Sequence, residues 1–452
     1  MDFNTRYAKL NDNQRQAVDY IHGSLLVIAG PGTGKTELLS MRTAQILRQT
    51  DTLPNSILCL TFTESGATNM RQRLRQIIGE DAYKIAIHTF HSFGTEIINQ
   101  HREYFFRGAD AQPVDELTQY QIISGILEGL DWRNLLSAKN NGEFVYIKDL
   151  IRIISEFKQS GLTPSELRAI IEDNQSTIAE IAPDIQQVFS AKISKKTIEM
   201  FAPIAEKIAN LAAKNPDEKN SKLPASITPY ANVLALSIVH ATQEAIDENS
   251  TKPLTAWKNK WCEKNANGEF VLKDFTAAEK LSAAIDVYEK YVNILSERSL
   301  FDYDDMILSV IQACESHPEL RANLQEQFQF IMVDEFQDTN LAQLRLLFNL
   351  TSENDDNPNI MAVGDDDQAI FSFQGADVGN IQRFRQHYHD PKIIVLTDNY
   401  RSAENILSSA RDVITQGADR LENTIDGLSK QLTAHANSEG SKVEIQEFSS
   451  VS

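Results

Sequence analysis

Six short apolar runs punctuate the chain: LLVIA at 25–29, ILCL at 57–60, IAI at 85–87, FIMV at 330–333, IMAV at 360–363 and IIVL at 393–396. None alternates with polar residues. Continuous apolar runs of this length predict parallel strands covered on both faces by helices. The residues after each run are polar and chemically capable: GPGTGKT, TFTESGA, HTFHSFG, DEFQD, GDDDQ and TDNYRS. In open α/β sheets ligands bind at the carboxyl ends of the strands. The pattern therefore predicts parallel strands of an α/β architecture with their chemistry gathered at the carboxyl ends.

About 240 residues separate the first three runs from the last three, and most of that interval has helical periodicity, as over 145–160, 198–213 and 277–295. The expectation is a mainly helical domain at 107–298 inserted into one α/β domain. Residues 214–226 have the composition of an exposed loop. Within the insert, Trp132-Arg-Asn…Lys139-Asn-Asn-Gly142-Glu-Phe-Val resembles Trp257-Lys-Asn…Lys264-Asn-Ala-Asn-Gly268-Glu-Phe-Val. Coincidence or two similar turns explain this better than a duplicated helix-turn unit, because nothing else repeats between them.

Composition narrows the class. Of the 452 residues 42% are hydrophobic and 23% charged, as in ordinary globular proteins. This excludes a collagen-like fibre and a disulfide-dense mini-protein. No run approaches the ~18 apolar residues of a membrane span, and the N-terminus has no secretory pattern. Three widely spaced cysteines, Cys59, Cys262 and Cys314, fit a reduced, cytoplasmic compartment and indicate neither a zinc site nor a disulfide framework. The net charge of -20 argues against a protein that coats nucleic acid by bulk attraction, while leaving room for a local groove. The insert is no basic arm either, with 22 Lys+Arg against 27 Asp+Glu.

The candidate chemistry begins at Ala29-Gly30-Pro31-Gly32-Thr33-Gly34-Lys35-Thr36. A glycine-rich loop between strand and helix turns backbone N–H groups toward phosphates. Lys35 would reach the β- and γ-phosphates, and the Thr36 hydroxyl would bind Mg²⁺. The strict phosphate-loop pattern has Gly where Ala29 stands. Val333-Asp334-Glu335 ends another strand. Asp334 would hold Mg²⁺ through its water shell, and Glu335 would orient and deprotonate the attacking water. Gln368 in GDDDQ suits a hydrogen bond to the γ-phosphate or that water. Arg401 suits phosphoryl charge, and Tyr400 offers a face to a base.

Taken together, these motifs resemble the superfamily 1 DNA helicases of the UvrD/Rep/PcrA type. LNDNQRQAV at 10–18 looks like the family's adenine-reading Q motif, AGPGTGKT like motif I and TFTESGA like motif Ia. HTFHSFG matches the next element, and FDYDDMI at 301–307 matches the segment leading into motif II. VDEFQDTN is motif II nearly letter for letter, GDDDQAIFSFQGA resembles motif III and LTDNYRS motif IV. The resemblance covers residues 1 to about 105 and 299 to about 415. It implies an α/β fold: a P-loop, RecA-like parallel sheet with helices on both faces, plus the inserted mainly helical domain. The motor domain would then comprise 1–106 and 299–392, with 393–452 opening a second RecA-like domain. The cofactors implied are ATP and Mg²⁺. The partners are single-stranded DNA and duplex DNA with a 3′ single-stranded tail, and the activity is 3′ to 5′ translocation with unwinding. Carried over residue by residue, Gln14 would read the adenine edge and Tyr400 would stack on it. Gln337 would couple the nucleotide site to motif III. Phe62 and Phe373 would stack on DNA bases, with Thr61, Thr63, Thr89 and His91 as further DNA contacts.

The sequence departs from the family in three places. Motif Ia reads Glu64-Ser-Gly-Ala67 where Asn-Lys-Ala-Ala is usual. Motif III reads Phe371-Ser-Phe373-Gln374 where Tyr-Gly-Trp-Arg is usual. Motifs V and VI are not found after Arg401. The expectation is therefore the N-terminal part of a longer helicase. Two alternatives stay open: an ATP-gated DNA-binding or regulatory ATPase module without unwinding, and the motor part of a helicase–nuclease.

Overall fold

The computed structural model describes residues 2–105, 112–190, 193–195, 198, 201–214, 230–264, 268, 270–351, 357–369, 379–389, 391–417, 420–425 and 427–436. All six apolar runs become strands of one sheet: β1 (Leu25–Ala29), β2 (Ile57–Thr61), β3 (Ala86–Thr89), β4 (Phe330–Val333), β5 (Ile360–Gly364) and β6 (Lys392–Leu396). Their order is β6-β1-β5-β4-β2-β3, and every neighbouring pair is parallel. β3 starts and ends later than its apolar run, because Ala86 to Thr89 pair with Leu58 to Thr61. His88 and Thr89 are polar but lie on an edge strand, where a continuous apolar run is not required.

Successive residues of each strand supply two cores on opposite faces. Leu26, Ile28, Leu58, Leu60, Ile331 and Val333 point into one. Leu25, Val27, Ile57, Cys59, Phe330 and Met332 point into the other. Helices 90–100, 303–316 and 341–350 cover the first face, and helices 12–19, 35–49 and 64–78 the second. This is the two-faced burial that makes parallel strands apolar throughout.

The chain divides into two compact units. One contains the sheet and comprises residues 1–111, 159–161 and 302–452; the other comprises 112–158 and 162–301. The second is mainly helical and has two cores of its own. Helices 116–128, 147–159 and 274–297 contribute to one core, and helices 202–214, 230–247 and 252–261 to the other. The boundary expected at 392/393 falls inside β6. That strand is hydrogen-bonded along its length to β1, from Leu25↔Lys392 to Ala29↔Leu396, so it closes the first sheet rather than opening a second. Most of the loop expected at 214–226 lies outside the described residues.

The two look-alike segments of the insert form two small antiparallel hairpins. Lys139–Asn140 pairs with Glu143–Phe144, and Cys262–Lys264 with Phe270–Leu272. Gly142 and Gly268 both turn at positive φ, +85° and +81°. In each hairpin the lysine ammonium lies over the phenylalanine ring, 4.3 Å away for Lys139 on Phe144 and 5.3 Å for Lys264 on Phe270. The similarity therefore encodes a shared turn and cation–π clasp.

Candidate functional site

β1 runs into the glycine-rich loop, and helix 35–49 begins at once. Gly32 and Gly34 adopt φ of +72° and +89°, which side chains on L residues disfavour. A Cβ at Gly32 would lie 2.8 Å from the Arg401 Cβ and 2.8 Å from the Asn399 amide. Among the described residues no side chain caps the helix that starts at Lys35, so its first-turn N–H groups remain available to an anion.

Neighbours fix the loop's shape. The Thr33 hydroxyl donates to the Gly30 carbonyl at 2.7 Å, and the Gln14 amide donates to the Thr33 carbonyl at 2.9 Å. Gln14 is itself held by a reciprocal cap with Asn11. From the other side the Asn399 amide donates to the Pro31 carbonyl, and the Tyr400 N–H donates to the Gly32 carbonyl at 3.0 Å. Asn399 is fully buried. Its side-chain oxygen accepts from the Arg401 and Ser402 N–H groups at 2.9 and 2.7 Å.

β4 delivers the acids. Asp334 continues the strand, its N–H bonded to the Leu60 carbonyl at 2.9 Å. Its carboxyl is pushed up to about 6, chiefly by burial and then by the charge of Glu335, against the pull of Lys35. Glu335 breaks the strand with φ +48° and ψ +47°, a left-handed conformation that non-glycine residues keep mainly at constrained sites. Its carboxylate pairs with the Lys35 ammonium. Asp338 is buried too and is raised to about 6, by burial and then by Glu335. Its Oδ1 has no hydrogen-bond partner among the described residues. Three carboxylates thus face one ammonium. Hard oxygen donors with a surplus of negative charge are what a Mg²⁺–phosphate group requires, so these residues fit the implied cofactor.

Gln337 ties β4 to β5. Its amide nitrogen donates to Glu335 at 3.0 Å and to Asp338 at 3.1 Å, and its oxygen accepts from the Asp365 N–H at 3.0 Å. Gly364 permits this approach, since a Cβ there would lie 2.7 Å from the Gln337 oxygen. Gln368 follows in the same turn, its amide donating to Asp365 Oδ2 at 2.8 Å.

Residues 10–217 and 184–389 match the sequence profile of the UvrD/REP helicase N-terminal domain. The chain belongs to this helicase family. Among its relatives is the ATP-dependent DNA helicase PcrA of Staphylococcus epidermidis strain RP62A, 28% identical over 419 residues, which are 92% of this chain and 41% of that protein. The PcrA helicase of Staphylococcus aureus strain Mu50 is 27% identical over 411 residues, 91% of this chain and 40% of its own length. The chain therefore spans about two fifths of the curated relatives it matches.

Within this UvrD/REP fold, Gln14, the loop from Gly30 to Thr36, Asp334, Glu335 and Gln368 gather at the carboxyl edge, with Tyr400 and Arg401 exposed beside it. Of the residues expected to meet DNA, Thr61, Phe62, Thr63, Thr89 and His91 sit at the carboxyl ends of β2 and β3, next to β4 in the sheet order. There the hydroxyls serve the fold. Thr63 caps helix 64–78 and Thr89 caps helix 90–100. The Thr89 hydroxyl also donates to Glu64 at 2.9 Å, and that of Thr61 to the Thr63 carbonyl at 3.0 Å. Thr61 and Thr89 are buried, whereas Thr63 is exposed and Phe62 half-buried. Burial holds the His91 imidazole below its usual value, against the pull of Asp304. Phe373 lies outside the described residues. Sequence reasoning missed Asn399 and Asp338 as parts of the site. Their place inside the quoted NYRS and DEFQD stretches was the available signal.

Proposed function

We propose that this chain is the ATP-binding N-terminal motor part of an ATP-dependent DNA helicase acting in the cytoplasm. The supporting observation is the Lys35–Glu335 ion pair at the mouth of a glycine loop, with Asp334 and Gln337 beside it. ATP would place its phosphates on the loop and the uncapped helix end. Lys35 would leave Glu335 for the γ-phosphate, and Glu335 would turn to the attacking water and take its proton. Thr36 and Asp334 would hold Mg²⁺, which when bound supplies positive charge to the β- and γ-oxygens. Gln368 and Arg401 would contact the γ-phosphate, and Gln14 and Tyr400 the base. Phe62, Thr63 and His91 would offer single-stranded DNA a sequence-tolerant contact, with the 3′-tailed duplex as substrate of the longer protein.

The departure at motif Ia favours a second reading. Glu64 places a carboxylate beside Thr89, where the family usually carries a basic residue close by. A module that binds ATP and DNA without unwinding follows from that charge. Steady-state ATP hydrolysis with and without single-stranded DNA, with Glu335→Gln as blank, tests both. Strong stimulation by DNA supports the motor. ATP binding without stimulation supports the second reading, and no ATP binding sinks both.

A further inference from the structure

A segment outside all the expected motifs overlies the nucleotide edge. At residue 430 the chain meets the three-aspartate turn after β5. The buried Lys430 ammonium lies 3.0 Å from Asp365, 2.6 Å from Asp366 and 2.7 Å from Asp367. The Leu432 side chain lies so close to Gly30 that a Cβ on the glycine would be 3.0 Å from it. Thr433–Ala434 pairs in parallel with Asp398–Asn399. The His435 ring stacks on Tyr400 at 5.4 Å, and its Nε2 lies 3.0 Å from Asp398. Residues 430–435 thus touch the turn holding Gln368, the start of the phosphate loop and the tyrosine expected to stack on the base.

Three successive carboxylates, with Asp365 and Asp366 buried, repel one another unless a cation sits among them. Lys430 supplies it, and Arg420 adds a two-pronged contact to Asp367 at 2.8 and 2.7 Å. The Gln368 amide donates to Asp365 at 2.8 Å and to the Ala29 carbonyl at 3.5 Å, so through the shorter contact the place of Gln368 depends on Lys430. Inward from Asp365 the polar contacts are unbroken, passing to Gln337, to Glu335 and to Lys35.

We propose that Lys430 is a positioning residue for Gln368, and that residues 430–435 form a strap whose packing responds to whether Lys35 holds Glu335 or a γ-phosphate. This rests on the nucleotide reading above. When a γ-phosphate takes Lys35, Glu335 loses its cation and Gln337 becomes its remaining polar partner. Gln368 gains a phosphate contact, and Asp365, shared by Gln368 and Lys430, is ordered from both sides. ADP has no γ-phosphate and offers Lys35 the β-phosphate alone, so it draws less on the Lys35–Glu335 pair.

The test is amide hydrogen exchange on the full 452-residue chain, free and with saturating ATPγS or ADP. Residues 430–435 should exchange about fivefold more slowly with ATPγS than with ADP, the lower end of ordinary site-to-site coupling. In Gln337→Leu, with occupancy confirmed by mant-nucleotide fluorescence, that ratio should fall to near one. From the other end, Lys430→Met should narrow the preference for ATPγS over ADP by about fivefold, and Lys430→Arg should recover it. A lysine that merely braced the turn would shift both affinities alike. An unchanged exchange ratio in Gln337→Leu, or an unchanged preference in folded Lys430→Met, overturns the strap alone. If Lys430→Met does not fold, Gln337→Leu decides. A wild-type chain that binds neither nucleotide overturns the nucleotide reading and the strap with it.

Discussion

Lys35 and Glu335, 300 residues apart in sequence, form a direct ion pair. Each is thereby kept from the task proposed for it until a nucleotide arrives. A phosphate that draws Lys35 away also frees the carboxylate, so binding and activation of the base become a single exchange.

Glu335→Gln should lower turnover by at least about 10²-fold, the usual contribution of a positioned base. Nucleotide affinity should hold or rise, because the amide competes less for Lys35. Phosphate release gives the first quantity and mant-ATP titration the second. Wild-type turnover in this variant would remove Glu335 from the base role.

Gly32→Ala should destabilise the chain by about 1–2 kcal/mol through the left-handed backbone alone. The new methyl would add a clash with Arg401 and Asn399. Nucleotide affinity should fall in parallel. Thermal melts and mant-ATP titration of the same sample check this, and full affinity would show that the loop can bind phosphate in another shape.

Asp334→Asn should stabilise the nucleotide-free chain in chelator at pH 8 while abolishing turnover. The Asp334 carboxyl titrates near 6 when folded, against an ordinary value of 3.8. Between those values the folded chain keeps a proton that the unfolded chain has released. Its stabilising effect is complete below 3.8 and lost as pH rises through 6. Asp338 acts with the same sign. Melting temperature should therefore decline from pH 5 to pH 7 less steeply in Asp334→Asn than in the wild type. Parallel slopes would mean that burial does not raise this carboxyl.

Phe62→Ala should weaken single-stranded DNA binding by about 1–3 kcal/mol, the range of one stacked base. Nucleotide affinity should not change, since Phe62 follows β2 and the phosphate loop follows β1. Fluorescence anisotropy of a labelled oligonucleotide measures the loss. An equal fall in nucleotide affinity would make Phe62 a structural residue.

Much of the fold was legible because burial on two faces leaves an unmistakable record, as in LLVIA and FIMV. The carboxyl-edge chemistry was legible for a related reason: polar clusters such as GPGTGKT directly follow those runs. What stayed hidden depends on contacts that no local pattern encodes. Asn399 reads as one polar residue before Tyr400, yet it holds the phosphate loop through the Pro31 carbonyl. Lys430 reads as a solvent-facing lysine in a polar stretch, yet it lies buried among three aspartates. The boundary at 392/393 failed because IIVL is equally apt as the last strand of one sheet or the first of another. Only its hydrogen bonds to β1 decide.

The strand that carries the phosphate loop has both its sheet neighbours, β5 and β6, more than 300 residues further along the chain. During synthesis β1 must therefore wait, with its backbone edges unpaired, while several hundred further residues leave the ribosome. The inserted helical unit, with cores of its own, can fold in the meantime. The phosphate-loop motif is thus translated long before the strands that complete the sheet around it. Its strand is an exposed adhesive edge until residues 360–396 emerge, and assembly of the sheet is governed by loop closure over a very long span.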